Sequence, residues 1–176
     1  MDRLAHAAYV VELLDRFTVE EGEENRAQYR LLLDSLECLA LQEADPSAVI
    51  LYFELRLLDL VGYRPELFQC LECGTEIRPQ AQYFSFHRGG VLCPKCGRRD
   101  KQIRSISLPA LKVLRHYQRS NFKTASGPQV SLELFAEVDG IMEGYINYLL
   151  ERQLNVPTFL RGLRYLDQNA KKKEIP

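Results

Sequence analysis

The sequence predicts a mainly α fold, a helical domain interrupted by a small cysteine-anchored insert. Long apolar-rich stretches at helical spacing occupy both ends of the chain. Between them, residues 67–104 switch to cysteines, glycines and short alternations. Hydrophobic residues make up 46% and charged residues 27% of the 176, the usage of a globular chain long enough to build its own core. The organisation read from this is a first helical part (1–66), an insert (67–104) and a second helical part (105–176).

Leu4 to Phe17 is apolar-rich and free of Pro and Gly, so it reads as a helix. Thr18 to Glu24 is a short acidic turn, and Asn25 is an N-cap for the next helix. There Tyr29, Leu32, Leu33, Leu36, Leu39 and Ala40 form the expected buried stripe, with Cys38 a small buried residue on it. Asp45–Pro46 suits a new helix start. From Val49 to Val61 only Glu54, Arg56 and Asp59 interrupt an apolar run, which predicts a central, mostly buried helix with Gly62 as its C-cap and Pro65 as a stop. Burial of Glu54 or Arg56 requires a partner, so both are expected at the helix margin or paired.

In the insert, Tyr83, Phe84 and Phe86 read as a hairpin strand and Gly89–Gly90 as a turn. Helices resume at Leu108–Pro109. Residues 120–130 form a loop, and Ser131 caps a long helix carrying Gly140 and Gly144 on one face, which suggests close helix contact. Pro157 breaks the chain before a last short helix, Phe159 to Leu166, and Lys171–Lys173 lie in a terminal tail.

The chemistry concentrates in four cysteines, Cys70-x2-Cys73 and Cys93-x2-Cys96, with 19 residues between the pairs. Two residues between ligands let one tight loop present two thiolates to a tetrahedral ion, and glycines at 74 and 97 permit the loop geometry. The pattern predicts one structural Zn2+ in a zinc-ribbon-like insert. Four cysteines close the coordination shell, leaving no open position for catalysis. Disulfides fit poorly without a secretion signal, and thioredoxin-like chemistry lacks its strand-to-helix context. An iron–sulfur centre stays as an alternative.

The formal net charge is −1, but it is unevenly spread. Residues 1–69 hold 6 Lys/Arg and 14 Asp/Glu, whereas residues 70–104 hold 7 and 3. Arg88, Lys95, Arg98, Arg99, Lys101 and Arg104 gather around the second cysteine pair. They read equally as a contact for nucleic acid or acidic peptide and as a solvated surface that offsets the anionic thiolates. His6, His87 and His116 are scattered, with His87 on the hairpin surface. Phosphate loops, dinucleotide fingerprints and hydrolase motifs are absent, so no enzyme is expected. No apolar run approaches the ~18 residues of a membrane span, and Met1 to Ala8 is not a signal peptide, so a cytoplasmic location is expected.

Three segments carry a family resemblance: AYVVELLDRFTVEEGEENRAQYRLLLDSLECLA from Ala8, YFELRLLDLVGYRPELFQCLECG from Tyr52, and GGVLCPKCG from Gly89. Together they resemble the RecO family of bacterial recombination mediators, over roughly residues 3–165. The resemblance implies an N-terminal oligonucleotide-binding barrel followed by a helical domain, often with a zinc-binding insert. It implies binding of single- and double-stranded DNA, strand annealing, and work with RecR to displace single-strand binding protein and load RecA, at the nucleoid and without catalysis.

The chain begins at the helical domain, so the barrel is expected to be absent, by fragmentation, a misplaced start or truncation. DNA binding then falls to the basic surface of the insert. The alternative is an interaction scaffold without DNA affinity of its own. The resemblance also implies docking of the acidic C-terminal tail of single-strand binding protein, here against Phe53, Arg56 and Leu57, with Arg161 and Arg164 as further cations. Tyr52 and Leu154-Asn155-Val156 replace residues that can be basic in the family. Ordinary surface ion pairing is the alternative role for these arginines.

Overall fold

A computed structural model describes residues 3–18, 25–41, 45–121 and 130–151. Helices α1 (Arg3–Phe17), α2 (Arg26–Leu41) and α3 (Pro46–Leu60) come first. A three-stranded sheet follows, from β1 (Gln82–Ser85), β2 (Gly90–Leu92) and β3 (Ile103–Ile106), with the one-turn helix α4 (Pro94–Gly97) between β2 and β3. Then come α5 (Leu108–Arg119) and α6, residues 132–151. Residues 19–24 of the predicted Thr18–Glu24 turn, most of the 120–130 loop, and everything beyond residue 151, including the predicted last helix at 159–166, lie outside the described residues. No helix among the described residues is long and apolar enough to cross a membrane.

Helix α3 is the axis of the fold. Asp45 caps it by accepting from the Ser47 N–H, and Pro46 occupies its first turn, where a missing N–H costs nothing. At the other end Gly62 adopts φ +81°. The Gly62 N–H reaches Asp59 O at 3.3 Å and the Tyr63 N–H reaches Leu58 O at 2.7 Å, a Schellman closure that only glycine enters without strain. Phe53 and Leu57 are wholly buried. Truncating Phe53 to alanine should cost about 3–5 kcal/mol.

Glu54 and Arg56 on α3 each have a polar partner, as their burial demands. The Glu54 carboxyl group, 4% exposed, accepts a 2.6 Å hydrogen bond from the Tyr9 hydroxyl of α1. Arg56 donates to Ser120 O at the end of α5, lies 3.8 Å from Asp59, and sits 5.3 Å from the centre of the Tyr52 ring.

Helix α2 corrects the expected stripe. Tyr29 and Leu33 face outward, at 60% and 47% exposure, while Gln28, Ser35 and Leu39 form the buried side with Leu31, Leu32 and Leu36 against it. Ser35 is tolerated there because its hydroxyl donates to Leu31 O at 2.8 Å. Cys38 is half-buried.

The sheet has the order β2-β1-β3, both pairs antiparallel. Gly89, at φ +75°, makes the turn into β2. β3 was not anticipated, and it runs to Ile106, past residue 104. Phe84, Val91, Leu92 and Ile106 are buried in one continuous apolar cluster with α1, α3, α5 and α6. The insert therefore shares the helical core instead of forming a weakly packed lobe of its own.

Ser131 caps α6, accepting from the Leu134 N–H at 3.3 Å. The contact expected between helices at Gly140 and Gly144 is instead a contact with the insert. A Cβ at Gly140 would lie 2.6 Å from the Arg104 guanidinium, and one at Gly144 would lie 2.6 Å from the Phe86 ring. Both glycines are sockets for side chains that arrive from the sheet.

Candidate metal centre

Two turns bring the four sulfurs together. In the first, Gly74 at φ +70° lets its N–H reach Cys70 O at 2.8 Å, and the Cys70 N–H reaches Thr75 O at 2.8 Å. In the second, Cys93 is extended, Pro94 opens α4, and the Cys96 and Gly97 N–H groups both reach Cys93 O. Gly97 is needed for a different reason from Gly74. A Cβ there would fall 2.3 Å from the Tyr83 ring on β1. The two turns are locked by Cys93 N–H to Cys70 Sγ at 3.3 Å and Leu71 N–H to Val91 O at 3.1 Å.

The ligand atoms of Cys70, Cys73, Cys93 and Cys96 all lie within 4.8 Å of one another, with Cys73 and Cys93 Sγ 3.9 Å apart. A tetrahedral zinc with Zn–S bonds of about 2.3 Å places its sulfurs roughly 3.8 Å apart. The cluster thus fits a metal ion of that size. Its acid–base character fits too. The Thr75 hydroxyl, 3.1 Å from Cys73 Sγ, holds that thiol down at about 6. Hydrogen bonding to Cys93, with burial second, pushes Cys96 up to about 12. Sulfurs crowded this closely resist sharing several negative charges, and a dication relieves that repulsion.

The six basic residues divide into two groups. Arg88 pairs with Glu72 at 2.6 Å and with Asp100 at 3.3 Å, and Arg104 donates to Gly140 O at 2.6 Å. Lys95, Arg98, Arg99 and Lys101 are exposed and make no ion pair among the described residues. Asp100 anchors the loop that carries them. Burial pushes its carboxyl up, but the Gln102 N–H, His87, Ser85 and Arg88 together hold it below the usual carboxylate range.

Ser85, His87 and Asp100 meet here, with Ser85 Oγ 3.0 Å from His87 Nδ1 and donating to Asp100 at 3.2 Å. This is a loop clamp. Ser85 is fully buried and its hydroxyl bonds the carboxylate directly, so it is not presented as a nucleophile.

The expected tail-docking residues are placed differently. Phe53 and Leu57 have no exposed surface and so cannot present side chains to a partner in this conformation. Arg56 keeps partial exposure but is engaged as described above. Arg161 and Arg164 lie outside the described residues.

Sequence reading missed a cation–aromatic stack in which the Arg115 and Arg119 guanidinium groups lie 4.8 and 4.0 Å from the centre of the Phe68 ring. Arg115 also donates twice to Leu67 O. The i, i+4 spacing on α5 was a signal for the arginine pair, but the ring comes from a remote loop.

The family model described as recombination protein O C terminal matches residues 1–157. Among curated proteins, the chain is 34% identical over 166 residues to a DNA repair protein RecO of Roseiflexus sp., covering 94% of this chain and 58% of that protein. It is 35% identical over 163 residues to the RecO of Desulforamulus reducens, covering 93% and 62%. It is 36% identical over 164 residues to that of Symbiobacterium thermophilum, covering 92% and 64%. The chain therefore spans about six-tenths of the length of these relatives. Matched over nearly all of its own length, and carrying the cysteine cluster within that match, this chain belongs to the RecO family.

Proposed function

We propose that this region is a non-enzymatic mediator module of DNA repair, a helical body stapled by one structural Zn2+ that contacts DNA through the second cysteine turn. The observation that carries the reading is the placement of a four-thiolate cluster beside four exposed cations, Lys95, Arg98, Arg99 and Lys101, that make no ion pair among the described residues. Six basic residues face two carboxylates, Glu72 and Asp100, and a zinc–tetrathiolate centre of formal charge −2. The balance leaves a surplus of about two positive charges for phosphate.

The naming of the relatives as DNA repair proteins supports this direction. Family membership further supports RecR and single-strand binding protein as partners in annealing and RecA loading, in the cytoplasm at the nucleoid. A docked acidic tail would meet the margin of α3 at Tyr52 and Arg56, with Arg161 and Arg164 as the further cations.

A second reading, an interaction scaffold without DNA affinity, draws on the engagement of Arg88 and Arg104 inside the protein. Oligonucleotide titration across salt concentrations separates the two. Under the mediator reading affinity falls steeply with salt, and the double variant Arg98→Glu/Arg99→Glu weakens both single- and double-stranded binding. A parent chain with no affinity at low salt, or a double variant that binds as the parent does, would reject DNA contact by this turn.

A further inference from the structure

Between the second cysteine turn and α6 runs a groove of about 720 Å³, a size typical of small-ligand sites. Its lining is graded. Arg99, Lys101 and His87 are exposed, Cys96 and Tyr148 are half-buried, and Leu92 is buried. Aliphatic, sulfur and aromatic surface thus lies inside, while charge able to meet an anion lies outside.

We propose that this groove is a single-strand nucleic-acid subsite, in which one unstacked base lies on the Tyr148 ring over Leu92 while Arg99 and Lys101 hold the adjoining phosphates. The inference rests on the DNA-contact reading above and adds the kind of nucleic acid and the residue that selects it. Bases of a duplex are already stacked and paired, so an aromatic floor gains only from a strand whose bases are free to leave the stack. The groove also contains the Glu72 and Asp100 carboxylates, both held by Arg88. They would repel an acidic peptide side chain but accept a neutral base, with its charge kept outside at the phosphates. Tyr148 lies on α6, about fifty residues beyond the basic turn in sequence, and only the fold brings the two together.

The test uses the zinc-loaded 176-residue chain and an oligothymidylate of about 15 nucleotides carrying a single 2-aminopurine, whose fluorescence is quenched on stacking. Tyr148→Leu, which keeps an apolar side chain on α6, should abolish protein-induced quenching. It should also lower the ratio of single-strand to duplex affinity by about 5- to 100-fold, with Tyr148→Phe restoring both. A second measurement requires no variant. Irradiating the parent chain with an oligonucleotide containing 5-iodouracil should give an adduct on Tyr148.

Tyr148→Leu with the parental ratio, or adducts confined to other residues, would overturn the subsite. If Arg98→Glu/Arg99→Glu still weakened binding in that case, the broader DNA reading would stand. A parent chain that bound no oligonucleotide at low salt would overturn both.

Discussion

Glu54 makes the stability of this protein depend on pH in a direction opposite to that of most carboxylates. It lies at the centre of the helical body, 4% exposed, and lines a cavity with Tyr9 and His6 of α1 and with Asp139 and Glu143 of α6. Burial raises its carboxyl from 4.5 to about 8. The Tyr9 hydrogen bond opposes the rise, and Asp139 and Glu143 add to it. Between those values the folded protein holds a proton that the unfolded chain has released. The associated stability is fully present below 4.5 and is lost as pH rises through about 8.

The slope in the middle of that window is about 1.4 kcal/mol per pH unit, so moving from about pH 5.5 to about pH 7.5 should remove roughly 2–3 kcal/mol. Glu54→Gln cannot titrate and should lack this loss. Urea unfolding of the zinc-loaded protein, followed by far-ultraviolet circular dichroism, measures it in a chain that contains no tryptophan. Asp139 and the cysteine cluster titrate in both proteins, so the difference between their pH profiles isolates Glu54. Tyr9→Phe removes the one contact that lowers the Glu54 carboxyl and should move the loss to higher pH. Parallel profiles for the parent and Glu54→Gln would refute the reasoning.

Protein purified under reducing conditions should contain one zinc per chain by elemental analysis. Cys93→Ser should lose that zinc and loosen the β1–β2 pairing together with the packing of Tyr145 on Phe84, read as lost amide protection in hydrogen exchange. Gly97→Ala should destabilise the protein by about 1–3 kcal/mol and weaken zinc retention against a chelator, because the new methyl group meets the Tyr83 ring near its root. Gly74→Ala should cost about 1–2 kcal/mol from its left-handed backbone alone, since nothing lies within 4 Å of the added carbon.

Features set by local chemistry were legible before the fold was known. The paired cysteines, the Asp45–Pro46 start, the Gly62 stop, the Gly89 turn and the Ser131 cap each follow from a few adjacent residues. Features set by remote partners were not. Ile103–Ile106 is short and exposes Arg104 and Ser105, so nothing in its pattern marks it as a strand, and only pairing with β1 makes it one. On α2, Tyr29 and Leu33 outrank Gln28 and Ser35 in hydrophobicity, but the positions of α1 and α3 decide which side is covered. Close approach at Gly140 and Gly144 could be inferred from residue size, whereas the identity of the approaching side chains could not. In the candidate site the metal cluster was readable from spacing. The division of the basic residues into engaged and available groups depended on Glu72, Asp100 and Gly140, which no local pattern connects to them.

Phe86 seated over Gly144 fixes how this part of the family can vary. The pair has one volume to divide, so a homologue that enlarges position 144 must shrink position 86 in the same lineage. Gly140 is under less constraint, because what approaches it is the far end of the exposed Arg104 side chain, which can swing aside. Chimeras that exchange the insert between relatives without exchanging position 144 should misassemble even when both parents are stable. Exchanging position 144 along with the insert should rescue them.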